Sequence, residues 1–275
     1  MLDVPEEIAA ADSPVTRLIA SLEADGVRYG REDSFKLGYR RLIGGRVLIG
    51  VESADMGTER ALALASGLGM PKDCLDLLLA RVEQANAVFF GFENLGASWL
   101  CKVYLEFWDA VRRETLRTGS QAPQLLHLGV KWDSARPGHH EVARYDCHPL
   151  LNLRAILRRM VACYGAPGAP LLCDLTQAIV RYAAQREPGA SMLYLEVSEQ
   201  DNPRSSFDIN LYKSGMRLAD AAAQLRQAGA FFQLPPASME GQLQLLGPCL
   251  LGHLSSGLDR HGQPFLSVYA ETARP

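Results

Sequence analysis

The stretch Ser34-Phe-Lys-Leu-Gly-Tyr-Arg-Arg-Leu-Ile-Gly-Gly-Arg-Val-Leu-Ile-Gly-Val-Glu52 holds two alternating segments around a glycine pair. In its second half Val47, Ile49 and Val51 oppose Arg46, Gly50 and Glu52, a period of two that belongs to a half-buried strand. With 32–38 as the partner strand and Gly44–Gly45 as the turn, the stretch predicts a β-hairpin.

The same unit recurs along the chain. Strand pairs are expected at 87–93 with 100–107, 125–133 with 141–146, 192–198 with 206–212, and 249–257 with 265–271. Asn94–Leu95–Gly96, Arg136–Pro137–Gly138, Asn202–Pro203 and Asp259–Arg260–His261–Gly262 supply turn chemistry between partners. Helical periodicity at 12–25, 71–86, 149–164, 171–186 and 216–230 falls between the hairpins, and Gly165, Pro167, Gly168 and Pro170 break two of these helices apart. A spacing of roughly 50 residues marks a repeat of architecture rather than of residues. No linker divides the sequence, so 1–275 reads as a single domain.

The two faces of these strands differ in kind. Cys101, Val103, Leu105 and Phe107 oppose Lys102, Tyr104 and Glu106, while Leu126, Leu128, Val130 and Trp132 oppose His127, Gly129, Lys131 and Asp133. Leu193, Leu195 and Val197 are set against Tyr194, Glu196 and Ser198; Phe207, Ile209 and Leu211 against Asp208, Asn210 and Tyr212; Leu266, Val268 and Ala270 against Ser267, Tyr269 and Glu271. One antiparallel sheet packed on helices, with its polar face in water, accounts for alternation alone. About ten strands, however, curl and lose their edges on closing. The expected fold is therefore α+β: a closed antiparallel barrel of about ten strands, polar in its lumen and ringed by helices. Tyrosines at 104, 145, 194, 212 and 269, interleaved with Arg46, Lys102, Lys131, Glu32 and Glu196, suit an anionic ligand that must also shelter a carbocation.

These segments, taken in order, resemble the cyanobactin-type ribosomal peptide prenyltransferases and, more distantly, the aromatic prenyltransferase superfamily with its ABBA barrel. The first hairpin carries Glu32 two residues before Ser34-x-Lys36, and Arg46 opens its second strand. Phe90 through Tyr104, Leu128-Gly-Val-Lys-Trp-Asp133 leading to Tyr145, Ser191 through Ser198 with Asn210 and Tyr212, and His253 through Tyr269 follow in the family's order. The likeness covers most of 27–272. Tyr104 stands where peptide enzymes often have His, and Glu93 where Asp is common.

The resemblance implies transfer of a dimethylallyl group from its diphosphate to a side chain of a ribosomal, cyclic peptide, with Mg2+ accompanying the diphosphate and no metal held by protein ligands. Arg46, Lys102, Tyr104, Lys131 and Asn210 would then bind the diphosphate, and Tyr145, Tyr212 and Tyr269 would shield the cation. Glu32 would be the base, and Tyr194 would shorten the donor chamber to five carbons. His127, His253 and Glu196 are further lumen candidates. Two other readings stay open: an aromatic prenyltransferase acting on a small phenol or indole, and a non-catalytic barrel that binds a hydrophobic anion or peptide.

Composition closes off other classes. Basic and acidic residues are intermixed at a net charge of −3 with no Lys/Arg tract, which argues against nucleic acid as a partner. Residues 1–25 lack an apolar core of the signal-peptide kind, and no apolar run nears the ~18–20 residues of a membrane span. Six scattered cysteines without a CxxC suggest free thiols in a reducing cytoplasm. His139, His140, Cys147 and His148 lack the pair spacing of a zinc site.

Overall fold

The computed structural model describes residues 13–136, 138–165, 169–188 and 192–273. Pro137, Pro167, Gly168 and Ser191, used in the sequence reading, lie outside the described residues, as does the start of the helix expected at 12–25.

Ten strands form one closed antiparallel barrel: β1 Gly30–Gly38, β2 Arg41–Glu52, β3 Ala87–Asn94, β4 Trp99–Glu106, β5 Gln124–Asp133, β6 His140–Cys147, β7 Leu193–Glu199, β8 Ser205–Asn210, β9 Leu250–Leu258 and β10 Pro264–Ala273. Each strand pairs with its sequence neighbours, and β10 returns to β1 with Phe35 opposite Val268 and Ser34 opposite Tyr269. Closure leaves no unpaired edge.

The first hairpin turns at Tyr39–Arg40, not at the glycine pair, with Arg40 at φ 53°. Gly44 and Gly45 sit within β2 at a bulge, where pairing slips between Ser34↔Arg46 and Lys36↔Ile43. Gly45, at φ 61°, takes the left-handed conformation that glycine adopts without steric cost.

Helix α1 Pro14–Ala24 precedes the first hairpin, and α2 Ser53–Met56, α3 Thr58–Gly67, α4 Lys72–Leu79, α5 Trp108–Thr118, α6 Leu153–Tyr164, α7 Pro170–Arg186, α8 Ala222–Phe231 and α9 Pro236–Leu246 connect successive hairpins. Capping fixes several starts: Ser13 Oγ accepts from the Thr16 amide at 3.1 Å ahead of Pro14, and Asn152 Oδ1 accepts from the Ala155 amide at 2.9 Å. The 71–86 periodicity resolves into α4 and a short 3-10 turn at Val82–Gln84, while α2, α3, α5 and α9 were not marked by strong periodicity. Among the described residues no helix is long and apolar enough to cross a membrane. All six cysteines are free thiols.

Hydrophobic cores lie between barrel and helices. Leu18 and Leu22 of α1, Ala61 of α3 and Leu78 of α4 pack with Ile49, Phe90 and Val103. Met160, Leu172, Val180 and Leu225 of α6–α8 pack with Phe35, Phe207, Leu254 and Val268. With the apolar side turned outward to the helices, the other side encloses the lumen. In one strand this rule fails. Leu195 faces Asp208 and Leu193 faces Asn210 across β7–β8, and cross-strand partners share a face, so both leucines point inward.

Candidate active site

The lumen has two chemically distinct ends. The hairpin turns define one, and the helix connections define the other. Near the turns, five cations converge: Lys36 of β1, Arg46 of β2, Lys102 of β4, Lys131 of β5, and Arg204 just before β8. Glu93 of β3 and Glu199 of β7 are the carboxylates among them. Glu93 Oε2 accepts from Arg46 Nε at 3.1 Å and from Lys102 Nζ at 3.2 Å. Glu199 pairs with Lys131 and Arg204, and Arg260 pairs with Glu141 beside it. Five cations facing two carboxylates leave three positive charges unmatched.

Their mutual repulsion is visible in the titration behaviour. Burial first, then the Arg46 charge, bring Lys102 down to about 8, with Glu93 only partly offsetting them. Burial, Arg46 and Arg204 bring Lys36 to about 8. Burial works to raise Glu93, but Lys102 and Arg46 overcome it and hold that carboxyl at about 2. Such a field suits a multivalent anion.

Above this floor lies a chamber of about 240 Å³. Arg46 and Lys102 reach its base; Tyr104, Tyr145, Tyr212 and Tyr269 form much of its wall. Arg46 also meets Tyr269, with Nη2 3.3 Å from the hydroxyl, and Ser267 Oγ at 3.4 Å from Nη1. Tyr104 meets Tyr145 edge to face with centroids 5.8 Å apart. Its ring passes over Gly129, where a Cβ would stand 2.5 Å from Tyr104 Cδ1, so glycine is required opposite this ring.

The helix-connection end is acidic. Glu32, Glu106 and Asp208 line it, with His127 and His253. His253 Nδ1 lies 2.8 Å from Asp208 Oδ1, and Nε2 lies 3.8 Å from Glu32 Oε1. Burial opposes its charge, but Asp208 and Glu32 raise His253 to about 9. Tyr212 donates its hydroxyl to Glu32 Oε1. Burial raises the Glu32 pKa more than His253 and Tyr212 lower it. Its Oε2 is buried with no hydrogen-bond partner among the described residues.

The chamber thus gathers Glu32, Arg46, Lys102, Tyr104, His127, Tyr145, Asn210, Tyr212, His253 and Tyr269 from the sequence expectations. Asn210 stands opposite His253, and its Oδ1 accepts from the Tyr212 amide at 3.1 Å, which places it toward the acidic end. Lys131 lies below the chamber, paired with Glu199.

Three expectations require correction: Asn210, expected with the diphosphate ligands, stands beside His253 at the acidic end, away from the cations, and Tyr194 and Glu196 leave the lumen. Tyr194 is fully buried on the helix side, stacked on Phe207 with its hydroxyl 3.6 Å from Cys163 Sγ, and cannot bound a donor chamber. Glu196 also points outward, to Arg159 of α6 at 2.7 Å and His148 at 3.2 Å. The reason is the β7 register: with Leu193 and Leu195 inward, Tyr194 and Glu196 must face the helices. Glu93, Glu106, Glu199, Arg204 and Asp208 received no role from sequence. Their signal was weak, because each is a single charge on a strand or turn, and its worth emerges from groups far apart in the chain.

Among the described residues no group of three His, Cys, Asp or Glu side chains is placed to hold a metal. Glu93 is already engaged by Arg46 and Lys102, and Glu199 by Lys131, Arg204 and Arg260. The donor set therefore does not fit a protein-held Mg2+.

A closed ten-strand barrel with a polar lumen and an outer ring of helices is the ABBA prenyltransferase barrel. Similar solved structures are AnaPT from Neosartorya fischeri (TM-score 0.55, 12% identity, 89% of this chain and 79% of that one) and the NotF prenyltransferase (TM-score 0.56, 15% identity, 88% and 80%). NotF in complex with brevianamide F and DMSPP is similar to the same degree (TM-score 0.55, 14% identity, 88% and 79%). At these identities the likeness establishes the fold. No family model matches the chain, and no curated protein matches it in sequence.

Proposed function

We propose that the chain transfers a prenyl group, with dimethylallyl as the donor group, from an allylic diphosphate to an acceptor bound at the acidic end of the barrel. The observation that carries this reading is the lumen's polarity: three unmatched positive charges at one end, a tyrosine wall between, and a buried carboxylate at the other.

The donor's diphosphate rests on Arg46 and Lys102, with Lys36, Lys131 and Arg204 supplying field from behind. Each close charge contact is worth about 4 kcal/mol at 4 Å and an effective dielectric of 20. As the C–O bond breaks, its electron pair leaves with the diphosphate, and the allyl cation lies against Tyr104, Tyr145 and Tyr269. Each cation–π contact contributes about 0.5–2 kcal/mol. The acceptor bonds to the allyl carbon and its proton passes to Glu32, whose burial raises its pKa and makes it a stronger proton acceptor than an exposed carboxylate. Mg2+ arriving on the diphosphate would meet Glu93 and Glu199 already ion-paired, so the cations carry the diphosphate charge.

NotF's complex with brevianamide F supports a small-molecule acceptor. The first-hairpin resemblance supports the second reading, a cyclic ribosomal peptide, and a cytoplasmic location goes with that reading. Incubation of the purified chain with dimethylallyl diphosphate and a panel of indoles, phenols, diketopiperazines and cyclic peptides, followed by mass spectrometry, tests both. Failure of every acceptor together with failure to bind the donor would contradict the proposal.

A further inference from the structure

The acidic end of the chamber gathers more carboxyl groups than its own cations can match. Asp208 is satisfied by His253 at 2.8 Å. Glu32 receives Tyr212 on Oε1, but Oε2 stays buried and unpartnered among the described residues. Glu106 has the His127 Nε2 at 3.8 Å. That imidazole brings no charge, since burial holds it at about 4. Burial and then Glu52, with a smaller push from Asp109, raise Glu106 to about 7 against the pull of His253. Among the described residues lining this end, His253 is thus the cation set against three carboxylates.

A phenol or an indole offers one donor and no charge, so it leaves one carboxylate without a partner. An ammonium carries charge but is compact and strongly hydrated, a poor match for walls of Phe89, Leu193 and Leu195. A guanidinium is planar, weakly hydrated and forked, stacks on aromatic rings, and donates to two carboxylates at once.

From this, and resting on the prenyl-transfer reading above, we propose that the acceptor carries a guanidinium group, held by Glu32 and Glu106 and prenylated on one nitrogen. In the step, one N–H proton passes to the Glu32 carboxylate as that nitrogen bonds to the allyl carbon. The donor's C–O bond breaks and the diphosphate takes its electron pair. The product keeps the positive charge of the guanidinium. The group can come from a free guanidine or from an arginine residue of a peptide; the chemistry recognised is the same.

The test uses the full chain with dimethylallyl diphosphate and five acceptors: agmatine, free arginine, a cyclic peptide containing arginine, that peptide with citrulline in its place, and one with tryptophan. Prenylation of guanidino acceptors at least about tenfold faster than the citrulline and tryptophan peptides is expected, and the split between agmatine and peptide identifies the source. Glu106→Gln should raise the KM for the guanidino acceptor about thirtyfold, the loss expected when one partner of a buried charge pair is removed, while the donor KM stays put. Preference for tryptophan, or equal use of citrulline, overturns the guanidinium assignment and leaves prenyl transfer standing. If no acceptor reacts, calorimetry decides on the wild-type chain loaded with dimethylallyl thiolodiphosphate. Agmatine binding at least tenfold tighter than its urea analogue upholds the assignment, and equal binding ends it. Failure of the thiolodiphosphate itself to bind contradicts the prenyl-transfer reading instead.

Discussion

His253 stands with its Nδ1 2.8 Å from Asp208 Oδ1, a charged pair sealed inside the barrel and shared by two neighbouring strands. Asp208, then Glu32, hold the imidazole protonated to about 9 against burial. Stabilisation from a group whose pKa rises on folding is complete below its unfolded value of about 6.5 and is lost as pH climbs through about 9. The thermal midpoint should therefore fall between pH 7 and pH 9 in the wild type. Asp208→Asn should flatten that fall and bring the NMR titration midpoint of His253 down by more than one unit. An unchanged midpoint would show that Asp208 does not set the charge.

Lys36 and Lys102 titrate near 8 because of burial and the crowd of like charge. An anion that relieves the crowding must raise both. Inorganic pyrophosphate should therefore bind with proton uptake at pH 8–9, and its affinity should drop as pH passes 8. Calorimetry in buffers of different ionisation enthalpy measures the uptake; none at pH 8.5 would contradict the arrangement.

Gly129 lets the Tyr104 ring cross the lumen. Gly129→Ala should force the ring aside at a cost of about 1–3 kcal/mol in stability. It should also lower kcat/KM for the donor, while Gly138→Ala, at an exposed turn with nothing within 4 Å, should alter neither. Denaturant melts and steady-state rates check both variants.

Chelation should have little effect. With Glu93 and Glu199 consumed in ion pairs and three positive charges over, EDTA should change the affinity for dimethylallyl thiolodiphosphate by less than about tenfold. A larger loss would mean that metal, rather than Arg46 and Lys102, carries the diphosphate charge.

The barrel was legible because every hairpin shows period-two alternation, because turn residues mark the later ones (the first turns at Tyr39–Arg40, away from the Gly44–Gly45 pair), and because ten strands of one kind must close. The site was legible where polar side chains sit on the polar face of a strand, as Arg46, Lys102, Tyr104 and Tyr269 do, while Tyr212, expected on the strand 206–212, reaches the chamber from a 3-10 turn just after β8. It failed in β7, where apolar Leu193 and Leu195 face inward, because alternation alone cannot say which face is which. Tyr194 follows from that inversion. Tyr194→Ala should destabilise the fold by about 3–5 kcal/mol, as loss of a buried aromatic does, without opening the chamber to a ten-carbon donor. The cationic floor was half visible, since Glu93 and Glu199 acquire meaning only through partners on other strands.

The most direct test of the central claim is calorimetric titration of dimethylallyl thiolodiphosphate into the wild type, Arg46→Gln and Lys102→Met. One site per chain is expected in the wild type, weakened about 10²-fold or more in each variant. Variants that bind as tightly as the wild type, or a wild type that does not bind, would contradict a diphosphate seated on the barrel's cationic floor.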